Sequence, residues 1–299
     1  MSQLSRNNLP LRLPVFLLLA GCGTQAAPLH PLEQAKSEVP ALGARIDEMA
    51  AGSIRGRVVW TGDLPPERAF RDAKLAVGES IEKNEKKNPG LPHVKPPDNG
   101  AAGAVVFLRK VEPERSKPWD HPSAGVVMKD GFIRVEQSGG EHSSGFVHVG
   151  DSIEMISRSS TLEMLRAQGA AFFTLPFPEP EKPIRRALAQ KGIVELSSAA
   201  GSYWARSWLF VAEHPYYTRT DEEGRFILTG VPEGSYELVC WMPNWNVDHF
   251  DRDPEVLNVS RVYYMPPVER TIAVKVERGT SVNVVFQPEI SDFPVNPTR

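Results

Sequence analysis

Cysteine is scarce in this chain: there are two in 299 residues. With one of them at position 22, inside the leader described below, no disulfide framework is expected. Metal-binding spacings are missing as well. No CxxC, HxH or HExxH occurs, and the seven histidines are scattered. No G-x-S-x-G elbow is present, which removes one common hydrolase signature. The formal charge of −3 leaves no basic footprint, so no nucleic-acid partner is expected. Beyond the N-terminus no apolar run is long enough for a spanning helix. Helical periodicity never holds beyond roughly ten residues, which argues against a helical fold. No internal repeat shows.

Strand signals fill the space these absences leave. The 27 prolines and 23 glycines have no period and fit many turns between short strands. GSIRGRVVW from Gly52 to Trp60 alternates and then breaks at Thr61–Pro66. Residues 79–88 read as a short exposed helix of mixed charge. Gly103–Val111 reads as a buried strand, apolar at every position of its first half. Gly125–Met128 and Phe132–Gln137 form a hairpin around Lys129-Asp130-Gly131. Phe146–Val149 and Ser152–Ser157 read as another pair. Leu162–Gln168 is helix-like, Ala170–Leu175 a strand, Pro176–Pro183 a loop, and Ile184–Gln190 a basic turn or short helix. Four strands follow, at Ile193–Ser197, Tyr203–Ala212, Arg225–Thr229 and Ser235–Trp241. The fold class is all-β, built from β-sandwiches. Cys240 shares strand parity with Tyr236 and Leu238, so it is expected to be a buried, inert thiol.

The N-terminus carries an address. Arg6 and Arg12 precede the apolar Leu13–Ala20, and Leu19-Ala20-Gly21-Cys22 ends the segment. This resembles the bacterial lipoprotein signal. The resemblance implies removal of residues 1–21, lipidation of Cys22, and an extracytoplasmic protein anchored to the cell envelope, periplasm-facing or on the outer membrane. Residues 22–51 then read as a tether, and Ala41–Ala50 as a short helix within it.

Two further resemblances follow. GSIRGRVVW, GAVVFL, TDEEGRFILTGV, PEGSYELVCW and TIAVKVERGTSVNVVF look like the carboxypeptidase-regulatory-like, or transthyretin-like, sandwich. That family is a scaffold without catalytic residues to carry over. The stretch between its halves resembles the cupredoxin-like segment of planctomycete-type envelope lipoproteins. The implied organisation is strands of the first sandwich at 52–111, a cupredoxin-like insert at 112–214, the remainder of the first sandwich at 215–287, and a tail at 288–299. A blue-copper site takes two histidines, a cysteine thiolate and a weak axial methionine. The resemblance puts those positions near Glu163 or Arg166, at Ser198 or Ala199, at Ser202 and at Ala205. None of these side chains can build that site, so no metal and no cofactor are expected. His121, His142, His148 and His214 read as surface or capping residues. Asp251 and Asp253 read as turn residues, and Asp221-Glu222-Glu223 as a solvated hairpin tip.

The aromatics carry the functional expectation. Trp204, Trp208, His214, Tyr216, Trp241 and Trp245 are candidate ligand or interdomain contacts. Trp241-Met242-Pro243-Asn244-Trp245 runs off a strand end and is expected not to be buried throughout. Two functions stand. The first is a non-enzymatic, membrane-tethered binder of a partner protein or carbohydrate. The alternative is a divergent metal-binding or redox carrier on a cupredoxin scaffold.

Overall fold

The computed structural model describes residues 51–67, 69–71, 85–255 and 259–297. All of these belong to one unit of the chain. The leader, Cys22 and the tether up to residue 50, with its expected helix, lie outside the described residues.

Strand β1 (Gly52–Val58) opens the described chain, and β2 (Ala69–Arg71), β3 (Glu85–Lys87), β4 (His93–Lys95) and β5 (Gly100–Ala102) lead to β6 (Val105–Arg109). Then follow β7 (Gly125–Lys129), β8 (Phe132–Gln137), β9 (Gly140–His142), β10 (Ser144–His148) and β11 (Ser152–Ser157). After them come β12 (Glu163–Gly169), β13 (Phe173–Phe177), β14 (Ile184–Ala187), β15 (Gly192–Ser198) and β16 (Arg206–Ala212). The chain ends with β17 (Tyr217–Arg219), β18 (Arg225–Val231), β19 (Gly234–Met242), β20 (Val247–Arg252), β21 (Val259–Tyr264), β22 (Val268–Val276) and β23 (Ser281–Phe286).

The fold is all-β, with two sandwiches. The first faces the sheet β18-β1-β23 against β17-β6-β19-β22. Ile54, Phe226 and Phe286 from one sheet meet Leu108, Leu238 and Val276 from the other in its core. The second sandwich faces β10-β16-β15-β12-β13 against β14-β11-β7-β8-β9. Val126, Val135 and Met155 meet Leu165, Leu196 and Leu209 there. The hairpin β20–β21, although late in the chain, packs Val262 and Phe250 on this second core.

A third apolar layer joins the sandwiches. Successive side chains of a strand point to opposite faces. Val106 and Leu108 of β6 enter the first core, while Val105 and Phe107 face the other way. Leu209 and Val211 of β16 enter the second core, while Trp208 and Phe210 face out. These outward residues meet, together with Phe146, Val239 and Trp241, so four sheets stack around three cores. VVFL, WLFV and LVCW are apolar at every position because their strands are buried on both faces.

Turn chemistry holds where expected. Asp130 (φ 53°) and Gly131 (φ 76°) form the two-residue loop between β7 and β8, the left-handed pair that a type I′ turn needs. At the tip before β18, Gly224 adopts φ 74°, and Asp221 accepts bonds from the amides of Glu223 (3.0 Å) and Arg225 (2.8 Å).

Several local expectations are overturned. Leu162–Gln168 is not helical: Glu163–Gly169 is strand β12, with Leu165 and Ala167 inward. Its helix-forming residues yield to pairing with β13 and β15 on either side. Ile184–Ala187 is edge strand β14, not a helix, and Arg185 bridges across to Glu154 at 2.8 Å. Phe146–Val149 and Ser152–Ser157 do not pair. Strand β10 joins β16 and β11 joins β7, in opposite sheets, so Gly150-Asp151 carries the chain across the core. Within 79–88, residues 85–87 are strand β3, and residues 79–84 lie outside the described ones. Trp241 through Trp245 is buried except for Pro243. Trp245, Trp60 and Phe293 form a cluster of three rings in mutual contact, and Asn244 donates to the Pro294 carbonyl at 3.0 Å. The C-terminal residues thus cover a stretch that a bare strand end would expose.

Candidate functional site

Stacking two sandwiches through an aromatic layer leaves a cleft at one edge of that layer. Its volume is about 860 Å³, in the range of small-ligand sites. Both sandwiches supply its walls. Asn88–His93 and Thr218–Glu222 come from the first, and Phe132, Arg134, Glu141–Ser144 and Phe146 from the second.

Arg219 is its central cation. It ends β17, whose register on β6 pairs Arg219 with Val105. Thr220 anchors the following turn, donating to the Ala101 carbonyl (2.7 Å) and accepting from the Ala104 amide (3.0 Å). The Arg219 side chain therefore reaches across to the second sandwich. Its Nη1 donates to the Ser144 carbonyl (2.8 Å) and to Gln137 Oε1 (3.3 Å), and its guanidinium lies 4.9 Å from the Phe146 ring. Gln137 is buried and fully used. It donates to the carbonyls of Pro122 and Phe146, each at 2.8 Å, and accepts from the Phe146 amide. No carboxylate pairs with Arg219 among the described residues, and burial pulls its pKa down to about 10.

Other groups of the cleft are held by structural bonds. Asn88 donates to the Trp245 carbonyl and accepts from the Gly90 amide, each at 2.9 Å. His121 Nε2 lies 2.8 Å from the Pro215 carbonyl, and His142 Nε2 lies 3.2 Å from the Gln137 carbonyl. Burial holds both histidines below the ordinary value, and the charge of Arg219 adds to the effect at His142. Burial also lowers Arg134, opposed by Glu141. Of the acids, Asp221 binds Arg225 (2.8 Å), and Glu222 lies 3.7 Å from His93. Two donors remain over. Ser144 Oγ and Trp241 Nε1 are buried with no hydrogen-bond partner among the described residues, and both residues line this cleft.

Five of the six aromatic and histidine candidates from the sequence are distributed over three cores, and His214 lies outside them. Trp204 lies in the second core and donates to the Gly131 carbonyl at 2.8 Å. Trp245 and Tyr216 lie in the first core, and the Tyr216 hydroxyl donates to the Gly230 carbonyl at 2.7 Å. Trp208 and Trp241 meet edge-to-face at 5.3 Å in the joining layer. His214, half-buried, stacks on Tyr217 at 5.3 Å, and burial lowers its pKa to about 4. Of the six, Trp241 lines the cleft. Arg219, Ser144 and Arg134 were not singled out from sequence. The one local hint is an arginine inside the Tyr216–Thr220 run, YYTRT.

The positions named for copper sit at one end of the second sandwich. Glu163, Ser198, Ser202 and Ala205 are buried, and Arg166 is half-buried on the opposite face of β12. Ser198 Oγ accepts from the Ala200 amide at 3.2 Å. Two hydroxyls, a methyl and a carboxylate do not fit a copper–thiolate centre. Among the described residues no three His, Cys, Asp or Glu side chains lie together as metal ligands would. Cys240 is buried in the first core, which pushes its pKa up to about 12.

No protein-family model matches the chain, and no curated protein matches it. Several solved structures align with part of the chain. A purple cupredoxin from Nitrosopumilus maritimus aligns at 12% identity and TM-score 0.24, over 30% of this chain and 100% of its own. An oxidised amicyanin variant aligns at 15% identity and TM-score 0.24, over 30% of this chain and 82% of its own. A copper-containing nitrite reductase from Thermus scotoductus aligns at 11% identity and TM-score 0.25, over 32% of this chain and 24% of its own. At these scores the alignments carry no inference.

Proposed function

We propose that this chain is a non-enzymatic binding protein of the cell envelope, tethered to a membrane through lipid on Cys22. It holds a carbohydrate or a partner protein in the cleft between its regulatory-like and cupredoxin-like sandwiches. The observation that carries this reading is the cleft, about 860 Å³ and walled by segments of both sandwiches. The groups with chemical potential within it favour binding over catalysis. His121, His142 and Thr220 are engaged with backbone carbonyls, and the Cys240 thiol is buried elsewhere. The interdomain setting suits recognition, because loops on a rigid frame present polar groups without moving the frame.

A cleft-filling substitution tests this. Ser143 is half-buried and lines the cleft. The Ser143→Trp variant of the full chain in detergent is expected to keep its circular dichroism and to lose binding on glycan and envelope-protein arrays. Unchanged array binding would move the site elsewhere. The tether has its own test. Metabolic labelling with radioactive palmitate should mark the wild type and not Cys22→Ser, and equal labelling would refute the anchor.

A further inference from the structure

We infer that the outer edge of β22 is a homodimer interface, in which β22 pairs antiparallel with β22 of a second copy about a two-fold axis through Ile272. The inference is independent of the cleft and of the function proposed for it.

β22 closes one side of the sheet β17-β6-β19-β22, with β19 as its one partner strand among the described residues. No loop or turn backbone among the described residues bonds to Val268–Val276 either. On the side away from β19, the N–H and C=O groups of alternate residues therefore form an unpaired row, which is a template for another strand. Other edges are blunted. β13 carries Pro176, and β14 is four residues long with Arg185 beside Arg186. β22 runs for nine residues with neither proline nor glycine. Its face bearing Glu269, Thr271, Ala273 and Lys275 is exposed at all four positions, so the second sandwich does not cover it.

The order of residues in β22 favours a second copy as the added strand. A two-fold axis through Ile272 sets each residue opposite the one equally far beyond Ile272 in the other copy, and keeps each face with its like. On the exposed face Glu269 then meets Lys275 of the second copy, Lys275 meets its Glu269, and Thr271 meets Ala273 between them. On the core face Ile272 meets Ile272, Val268 meets Val276 and Arg270 meets Val274, so the apolar row of the first core runs on across the axis. Opposite charges directly across two strands stabilise the pair, and like charges weaken it. Neighbouring registers lose this match. An axis at Ala273 sets Glu269 against Glu277, and an axis at Thr271 sets Lys275 against Pro267. Within one copy Glu269 binds Arg109 at 2.8 Å and Lys275 binds Glu277 at 3.1 Å. Both are surface pairs of small net worth, so sharing them with the second copy costs little. One nine-residue edge is a small contact by the standard of stable complexes, so the dimer is weak and concentration-dependent.

Sedimentation equilibrium of the full chain in density-matched detergent, over roughly 1–100 μM protein, tests the inference. The wild type is expected to pass from monomer to dimer across that range. Glu269→Lys sets lysine against Lys275 at both ends of the paired strands, and Lys275→Glu sets glutamate against Glu269 at both ends. Each variant alone should dimerise roughly tenfold more weakly or worse, because two attractive pairs become two repulsive ones. Mixed in equal amounts, the two variants regain opposite charges at both ends, and a heterodimer of about wild-type strength should form. A folding defect in either variant would not be repaired by mixing. Should Glu269→Lys fail to fold for loss of its bond to Arg109, Lys275→Glu carries the test, since the Lys275 side chain is 73% exposed. It should lose the dimer while Lys275→Arg keeps it. A wild type that stays monomeric over the whole range, reversals that leave the dimer unchanged, or a mixture no stronger than its components each overturns the interface.

Discussion

Phe210→Ala probes the layer that joins the two sandwiches and so shapes the cleft. Phe210 is 2% exposed and sits among four other rings. Trp241 meets it edge-on at 5.1 Å, with Phe107 and Tyr217 each at 6.1 Å and Phe146 at 6.2 Å. Its ring cannot be replaced by movement of a flexible side chain, because the neighbours are held by sheets on both sides. Truncating a buried phenylalanine costs about 3–5 kcal/mol, the sum of lost transfer free energy and residual cavity. Edge-to-face contacts of about 0.5–1.5 kcal/mol per pair argue for the upper half of that range. Domains are stable by about 5–15 kcal/mol, so the loss is a large share of the total. Urea titration followed by tryptophan fluorescence should therefore show a much lower midpoint, with Trp208 and Trp241 reporting directly on the layer. Phe172, at 84% exposure, is the control. Its alanine variant should stay within about 0.5 kcal/mol of wild type. Phe210→Leu covers the case in which the alanine variant does not fold, with a smaller loss. If Phe210→Ala costs under about 1 kcal/mol, the two sandwiches are not docked through this layer and the reasoning fails.

Other consequences are equally direct. His214 has a folded pKa of about 4 against an ordinary value of 6.5, because burial disfavours its charged form. Its stability contribution is intact above about 6.5, declines as pH falls because the unfolded chain is protonated first, and flattens below about 4. The loss is at most roughly 3 kcal/mol and less after solvent screening, and urea titrations at pH 7 and 4.5 should show it shrink in His214→Asn. Gly224 adopts φ 74°, and an added Cβ would fall on the Val58 carbonyl, whereas at Gly62 (φ 73°) it would meet nothing. Gly224→Ala should lower the melting temperature well beyond Gly62→Ala, which carries only the left-handed penalty of about 1 kcal/mol. Equal shifts would contradict the close approach. Cys240, with its thiol pushed up to about 12, should resist a thiol reagent in the native protein and react fully in denaturant. Fast native labelling would show that the first core opens readily.

Much of the fold was legible locally. Period-two alternation marks β1 and β8, the pair Asp130-Gly131 announces its hairpin, and the apolar run VVFL announces a buried strand. The parity of Cys240 with Tyr236 and Leu238 places it in the first core. Errors fell where local preference and tertiary demand conflict. LEMLRAQ has helix formers but is held between two partner strands, and Gly150-Asp151 reads as a hairpin turn but crosses between sheets. The aromatic candidates show the same division: they read as ligand or interdomain contacts, yet nothing in the order of residues says which of three cores receives each tryptophan and Tyr216.

The sequence by itself determined the all-β class and the β7–β8 hairpin, because alternation and turn chemistry act over a few neighbouring residues. Tertiary structure alone decided that Trp208 and Phe210 would meet Trp241 and Val239 rather than solvent. It also decided that Ser144, Arg219 and Trp241, separated by up to 97 residues in the numbering, would share one cleft. Burial of apolar surface is non-directional and leaves no short-range mark on the chain, so the partner of an outward face is settled only when whole sheets dock.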